Sequence, residues 1–198
     1  MMLFSPRMAL TTSRRPSHLT NRLMKVLSAA LGAPIYRRGS STLDEVARAC
    51  KTHGLTSFIV IYTRKKRPSI LTCCRVVNDS YEIVGRIFII DFKVYPVKSV
   101  FTDVLIKLNG KSNGAKVLYD FLCKFWNPYK ISESKRYITL VIDDLPDEIR
   151  RRTKKEKLNP ATMRFVTPQG ATMLEIFIHH VHEYSPPLKP EINKGGRK

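Results

Sequence analysis

The side chains in this sequence with chemistry to offer are mostly cations, and they come in runs. Arg14 and Arg15 precede Pro16 and Ser17. Arg37 and Arg38 follow Tyr36, and Arg64, Lys65, Lys66 and Arg67 are consecutive. Arg150, Arg151, Arg152, Lys154, Lys155 and Lys157 form a denser run diluted by Asp147, Glu148 and Glu156. Guanidinium and ammonium groups spaced this way contact phosphate oxygens without reading bases. Each run also has a plainer reading: solvated arginines, an ordinary hairpin tip, a solvated helix face. Tyr36 beside Arg37 and Arg38, and Trp126 with Tyr129 and Lys130, are aromatic and basic neighbours of the kind that stack on unpaired bases, or else core residues. In a strand, His180 and His182 of the His179-His180-Val181-His182 run share a face. They lack an acidic or Cys ligand at a dependable spacing, which favours a phosphate or base contact over a metal site. Asp143 and Asp144 follow a strand, where a carboxylate pair either holds Mg²⁺ for phosphoryl chemistry or turns the chain before Pro146. No G-x-x-x-x-G-K-[ST], G-x-G-x-x-G, G-x-S-x-G or H-E-x-x-H motif occurs. The sequence therefore assigns no catalytic residue, no metal ligand and no cofactor.

Positioning these residues falls to a regular alternation of elements. Met8 to Ser13 reads as a strand, and Ser17 to Leu31 as a helix with Leu19, Leu23, Val26, Leu27, Ala30 and Leu31 on the helical period and Gly32 as its stop. Arg14 and Arg15 thus fall where a strand hands over to a helix N-terminus, whose free N–H groups also favour phosphate; Ser17 either joins that site or assists the first turn. Pro34 to Arg38 reads as a short strand. Thr42 and Glu45 have the spacing of a capping box for a helix ended by Gly54. Ser57 to Tyr62 is a nearly continuous apolar run, predicted to be a central strand covered on both faces. Ile70 to Val77 and Tyr81 to Tyr95 read as further strands beyond the basic turn. A second round follows: a strand from Val100 to Leu108, a loop from Asn109 to Gly114, a helix from Ala115 to Trp126, and a strand from Arg136 to Ile142. A charged, partly helical connection then runs from Pro146 to Pro160, before strands at Arg164 to Val166 and Met173 to Val181.

Ala9-Leu10-Thr11-Thr12-Ser13-Arg14-Arg15-Pro16-Ser17 is similar to the opening motif of the Brix domain, in which a strand ending in Thr-Ser is followed by Arg, a second basic residue, Pro and Ser. The register continues through Gly39, Asp44-Glu45 and Gly54-Leu55-Thr56-Ser57-Phe58-Ile59-Val60-Ile61, so the resemblance is best over residues 9–78. Phe177 to Tyr184 looks like that family's late strand. The resemblance implies an α/β fold, a single Brix-like domain of two similar halves with mixed β-sheets packed against helices. It also implies a role in ribosome biogenesis through rRNA and partner proteins, without catalysis. On this reading residues 1–8 are a short basic extension, the domain spans 9–184 with halves of about 9–95 and 96–184, and 185–198 form an extended basic tail.

Composition narrows the partners. Lys and Arg number 35 against 16 Asp and Glu, a formal charge of +19, and so large a surplus is best answered by a polyanion. Apolar runs are broken by Arg86, Asp91 and Lys93, so no membrane span is expected, and nothing points to a small-molecule substrate. Cys50, Cys73, Cys74 and Cys123 show neither paired nor zinc-type spacing; Cys73 and Cys74 face opposite ways if they lie on a strand. From Met1 to Leu43 there is no acidic residue among seven basic ones, which is transit-peptide chemistry and equally that of an rRNA-facing surface. The expectation is an rRNA-binding assembly factor or ribosomal component, with ribosomal or ribosome-assembly proteins as further partners. The mitochondrion is its expected compartment and the nucleolus the alternative. A protein-interaction module and an RNA enzyme using Asp143 and Asp144 are the competing classes.

Overall fold

A computed structural model describes residues 2–4, 7–96, 99–126, 137–151 and 159–189. Nine strands share one sheet. In chain order they are β1 (Met2–Phe4), β2 (Met8–Thr12), β3 (Ser57–Arg64), β4 (Arg67–Val77), β5 (Ser80–Val94), β6 (Asp103–Leu108), β7 (Tyr137–Asp143), β8 (Ala161–Val166) and β9 (Thr172–Leu188). The helices are α1 (His18–Leu31), α2 (Leu43–Thr52), α3 (Asn113–Trp126) and the single turn α4 (Asp147–Arg150).

The sheet order is β1-β6-β7-β8-β9-β5-β4-β3-β2, and it contains a repeated plan. In the first half β2 crosses over through α1 and α2 to a parallel neighbour, β3, which continues into the antiparallel β4 and β5. In the second, β6 crosses over through α3 to the parallel β7, followed by antiparallel β8 and β9. Antiparallel pairing of β5 with β9 joins the halves. β1 and β2 occupy opposite ends of this order, yet Phe4 and Met8 are four residues apart, a span of at most about 14 Å. The sheet must therefore curl until its edges approach one another.

Both long crossover helices lie inside the curl. Leu23, Leu27 and Leu31 of α1 join Leu118, Phe121 and Leu122 of α3 and inward residues of both halves in one apolar core. α1 also fastens the halves together: Phe101 N–H donates to the Ala29 carbonyl at 2.9 Å, and Gly32 closes the helix with φ of +61° where a Cβ would lie 2.5 Å from the Phe101 oxygen. α2 lies on the outer face instead. Its stripe of Leu43, Val46, Ala47 and Cys50 covers Ala9, Phe58, Val60 and Cys74. Cys73 belongs to the inner core and Cys74 to this outer cluster, so the two thiols do face opposite ways. Burial raises both.

Several sequence expectations shift. β3 is covered on both faces, as its apolar run requires, but it is next to the sheet edge; double coverage comes from α1 and α2, and the centre of the sheet is β5 and β9. Pro34 to Arg38 contributes only one bridge, Ile35 to Leu10, in place of a strand. β6 begins at Asp103, and β9 runs on to Leu188, taking in the first four residues of the expected tail. α1 begins at His18, one residue after the expected start, with Pro16 just before its cap. Ser17 is the cap itself: its Oγ accepts from Thr20 N–H at 3.1 Å. The capping box of Thr42 and Glu45 forms as the spacing predicts.

Candidate nucleic-acid interface

Backbone pairing decides which cations meet. Leu10 N–H donates to the Pro34 carbonyl and Tyr36 N–H to the Leu10 carbonyl, both at 2.9 Å, while Thr11 Oγ1 donates to the Tyr36 carbonyl at 2.7 Å. These bonds pin residues 34–36 beside β2, so the cations that follow each segment leave at the same place. The result is a cavity of about 510 Å³ lined by Arg14, His18, Lys25, Arg37 and Arg38 among others. Arg15 is exposed beside it. Arg38 is anchored by donation from Nε to the Ser41 carbonyl at 2.8 Å, which leaves the outer nitrogens of its guanidinium for a ligand.

The basic hairpin is held at the same corner. Thr63, at the root of the β3–β4 hairpin, shares a 2.8 Å hydroxyl hydrogen bond with Thr20 and accepts from Ser17 N–H at 3.4 Å. The tip, Arg64 to Arg67, is fully exposed. Lys65 and Lys66 turn the chain with φ of +49° and +62°. A two-residue turn with both φ positive is normally filled by Asn-Gly, and side chains with a Cβ are strained there. The tip thus carries two ammonium groups at a backbone cost. Among the described residues no carboxylate forms an ion pair with Arg14, Arg15, Arg37, Arg38 or the hairpin cations.

The remaining expected site residues lie elsewhere. Arg150 and Arg151 are exposed at α4, in the second half, where Arg150 acts on Asp144. Arg152, Lys154, Lys155, Tyr129 and Lys130 lie outside the described residues. Trp126 is 6% exposed in the inner core, and the half-buried Tyr36 packs against the α2 cluster with its hydroxyl 2.8 Å from His53 Nδ1. His18 and Lys25 join the cavity without having been singled out in the sequence. They are exposed seven residues apart, two turns of α1 on one face, a signal that reading only for apolar periodicity passes over.

The carboxylate pair is tied into the fold. Asp144 accepts from the backbone N–H groups of Ser112 at 2.9 Å and Lys111 at 3.1 Å, and hydrogen bonds from Ser112 and then Lys111 hold its pKa below the usual carboxylate value. Asp143 accepts from Asn109 Nδ2 at 2.6 Å and pairs with Arg164. Both therefore fasten the loop before α3 to the end of β7. Among the described residues no group of three or more His, Cys, Asp or Glu side chains is placed to hold a metal ion. No helix among them is long and apolar enough to cross a membrane.

Comparison with known proteins rests on the fold. No family model matches the sequence. A crystal structure described as a probable ribosomal biogenesis protein from Aeropyrum pernix K1 superposes with a TM-score of 0.68 at 19% identity, covering 92% of this chain and 99% of that one. Mil, an archaeal Imp4-like protein, superposes with a TM-score of 0.62 at 19% identity over 89% and 99%. The chain has the Brix-type fold. Its two halves, curled sheet and crossover helices are accounted for over nearly the whole of both structures. A 107-residue segment is also 28% identical to subunit 1 of the Mediator of RNA polymerase II transcription from Eremothecium gossypii, spanning 54% of this chain and only 24% of that protein. So short a share of a longer protein says nothing about where the Brix-type fold is used.

Proposed function

We propose that this chain is a non-enzymatic ribosome-biogenesis factor or ribosomal component that binds rRNA through the corner formed by Arg14, Arg15, Arg37, Arg38 and the hairpin Arg64 to Arg67. The observation that carries the reading is convergence: three cation runs far apart in sequence meet beside the α1 N-terminus without ion-pair partners. A formal charge of +19 and the archaeal ribosome-biogenesis structures of the same fold support it. Ribosomal or ribosome-assembly proteins are its further partners. The acid-free, Arg-rich residues 1–43 favour the mitochondrion over the nucleolus as the place of work.

Fluorescence anisotropy of the purified chain on rRNA fragments, read across a salt series, tests the RNA reading. Binding should weaken steeply with salt, and replacing Arg14 and Arg38 together by Glu should lower affinity at least about tenfold. Each lost phosphate contact should flatten the log–log salt slope by about one. An unchanged slope in a folded double variant overturns the site. Imaging of the tagged chain tests the compartment, and a nucleolar signal without a mitochondrial one overturns that part.

A further inference from the structure

We propose that the outer face of the β5–β9 seam is a second RNA contact, a stacking platform for unpaired bases; this rests on the reading that the chain binds RNA. Ile87 points into the inner core, so Arg86 and Phe88 on either side of it point outward. Strand register sets Arg86 opposite His182 and Phe88 opposite His180. Phe88 and His180 lie face to face, with centroids 4.2 Å apart and planes 12° from parallel. Tyr184 follows on the same face, its ring 4.6 Å from that of His182 and 5.7 Å beneath the Arg86 guanidinium. Two ring pairs and a cation thus stand side by side on a sheet surface.

α2 covers the outer face of β2, β3 and β4 and reaches β5 at Tyr81 and Ile83, but no helix among the described residues extends over the seam beyond them. The seam also continues the cationic corner. Burial and then Cys74 raise the Tyr62 phenol, while Arg38 of the cavity and Arg86 of the seam both oppose that rise. Strand register sets Tyr62, Ile70, Phe88 and His180 in one row across the sheet.

The chemistry selects the occupant. A protein helix docking on a sheet wants an uncharged apolar surface, as α2 finds in Ala9, Phe58, Val60 and Cys74; the seam offers imidazoles and a guanidinium among its rings. An anionic partner with flat π faces answers both the charge and the rings, and unpaired RNA is such a partner. Glu183, the nearest acid in the strand, is engaged elsewhere, with Lys124 at 3.1 Å.

The test compares a short oligoadenylate with an RNA duplex on the full chain. Phe88→Leu should weaken oligoadenylate binding about five- to 150-fold, the range for one lost base stack, and leave duplex binding unchanged. Phe88→Tyr, which keeps the ring, should retain both. Tyr184→Leu repeats the measurement at the second ring pair should Phe88→Leu fail to fold. A folded leucine variant that binds both RNAs as the parent does overturns the platform and leaves the cationic corner standing. A parent chain that binds neither RNA overturns both.

Discussion

The two halves share a strand plan and differ in what covers them. In the first, the outward row Thr11, Val60 and Thr72 is buried, and α2 lies over the outer cluster to which Val60 belongs. The matching row of the second, Lys107, Val141, Arg164, Glu175 and Lys93, has no helix over it among the described residues and is charged at every position but one. β7 accordingly alternates strictly between buried and half-buried residues where β3 is buried at its first five positions. A strand's apolar pattern thus reports the number of covered faces, not its place in the sheet. The halves differ in charge placement too. Up to residue 95 the only carboxylates are Asp44, Glu45, Asp79, Glu82 and Asp91, none of them among the residues lining the basic cavity. In the second half Asp143, Asp144 and Glu175 lie around Arg164. The first half therefore keeps its carboxylates away from the basic corner, where Asp79 pairs with Lys51 instead, and the other ties several of its charges into the fold.

This asymmetry can be broken by substitution. Phe58, wholly buried beneath α2, should cost about 3–5 kcal/mol when changed to Ala, measured by urea denaturation. A paired change is sharper because β3 and β7 hold corresponding places. Val60→Ala should cost about 2 kcal/mol, from two lost methyl groups at about 0.8 each and a cavity term, whereas Val141→Ala should cost under about 1. Equal losses would mean that the outer face of the second half is as well covered as that of the first.

Function and stability should move in opposite directions at the hairpin. Lys65→Asn combined with Lys66→Gly relieves two positive-φ positions and should raise stability by about 1 kcal/mol while weakening RNA binding; a variant that gains stability without losing affinity removes the hairpin from the interface. The smallest effect concerns pH. Hydrogen bonds hold the pKa of Asp144 below its unfolded value near 3.9, so its contribution is fully present above that pH and is lost as pH falls through the folded value. The stability difference between the parent and Asp144→Asn should therefore shrink below about pH 4. A constant difference across an acid titration would show that the loop before α3 does not depend on the ionised carboxylate.

Local sequence determined a good deal of this protein. The apolar period of α1 with its Gly32 stop, the Thr42–Glu45 capping box, the doubly covered β3 and the basic turn after it all follow from short-range sterics and hydrogen bonding, which a run of neighbouring residues contains in full. The opposed burial of Cys73 and Cys74 followed from strand alternation alone. The strand termini did not: β9 extends to Leu188 because β5 offers partners that far, through Ile83. The use of Ser17 as a cap was one of two local possibilities, and the fold decided between them. Only the tertiary structure brought Arg14 to Arg37 and Arg38 through the pairing of residues 34–36 with β2, set the hairpin beside them through Thr63 and Thr20, and laid Phe88 against His180 across the joined halves. Those meetings join residues 23 to 92 positions apart, and long-range strand register is fixed by the whole curled sheet closing around α1 and α3, which no window of sequence carries.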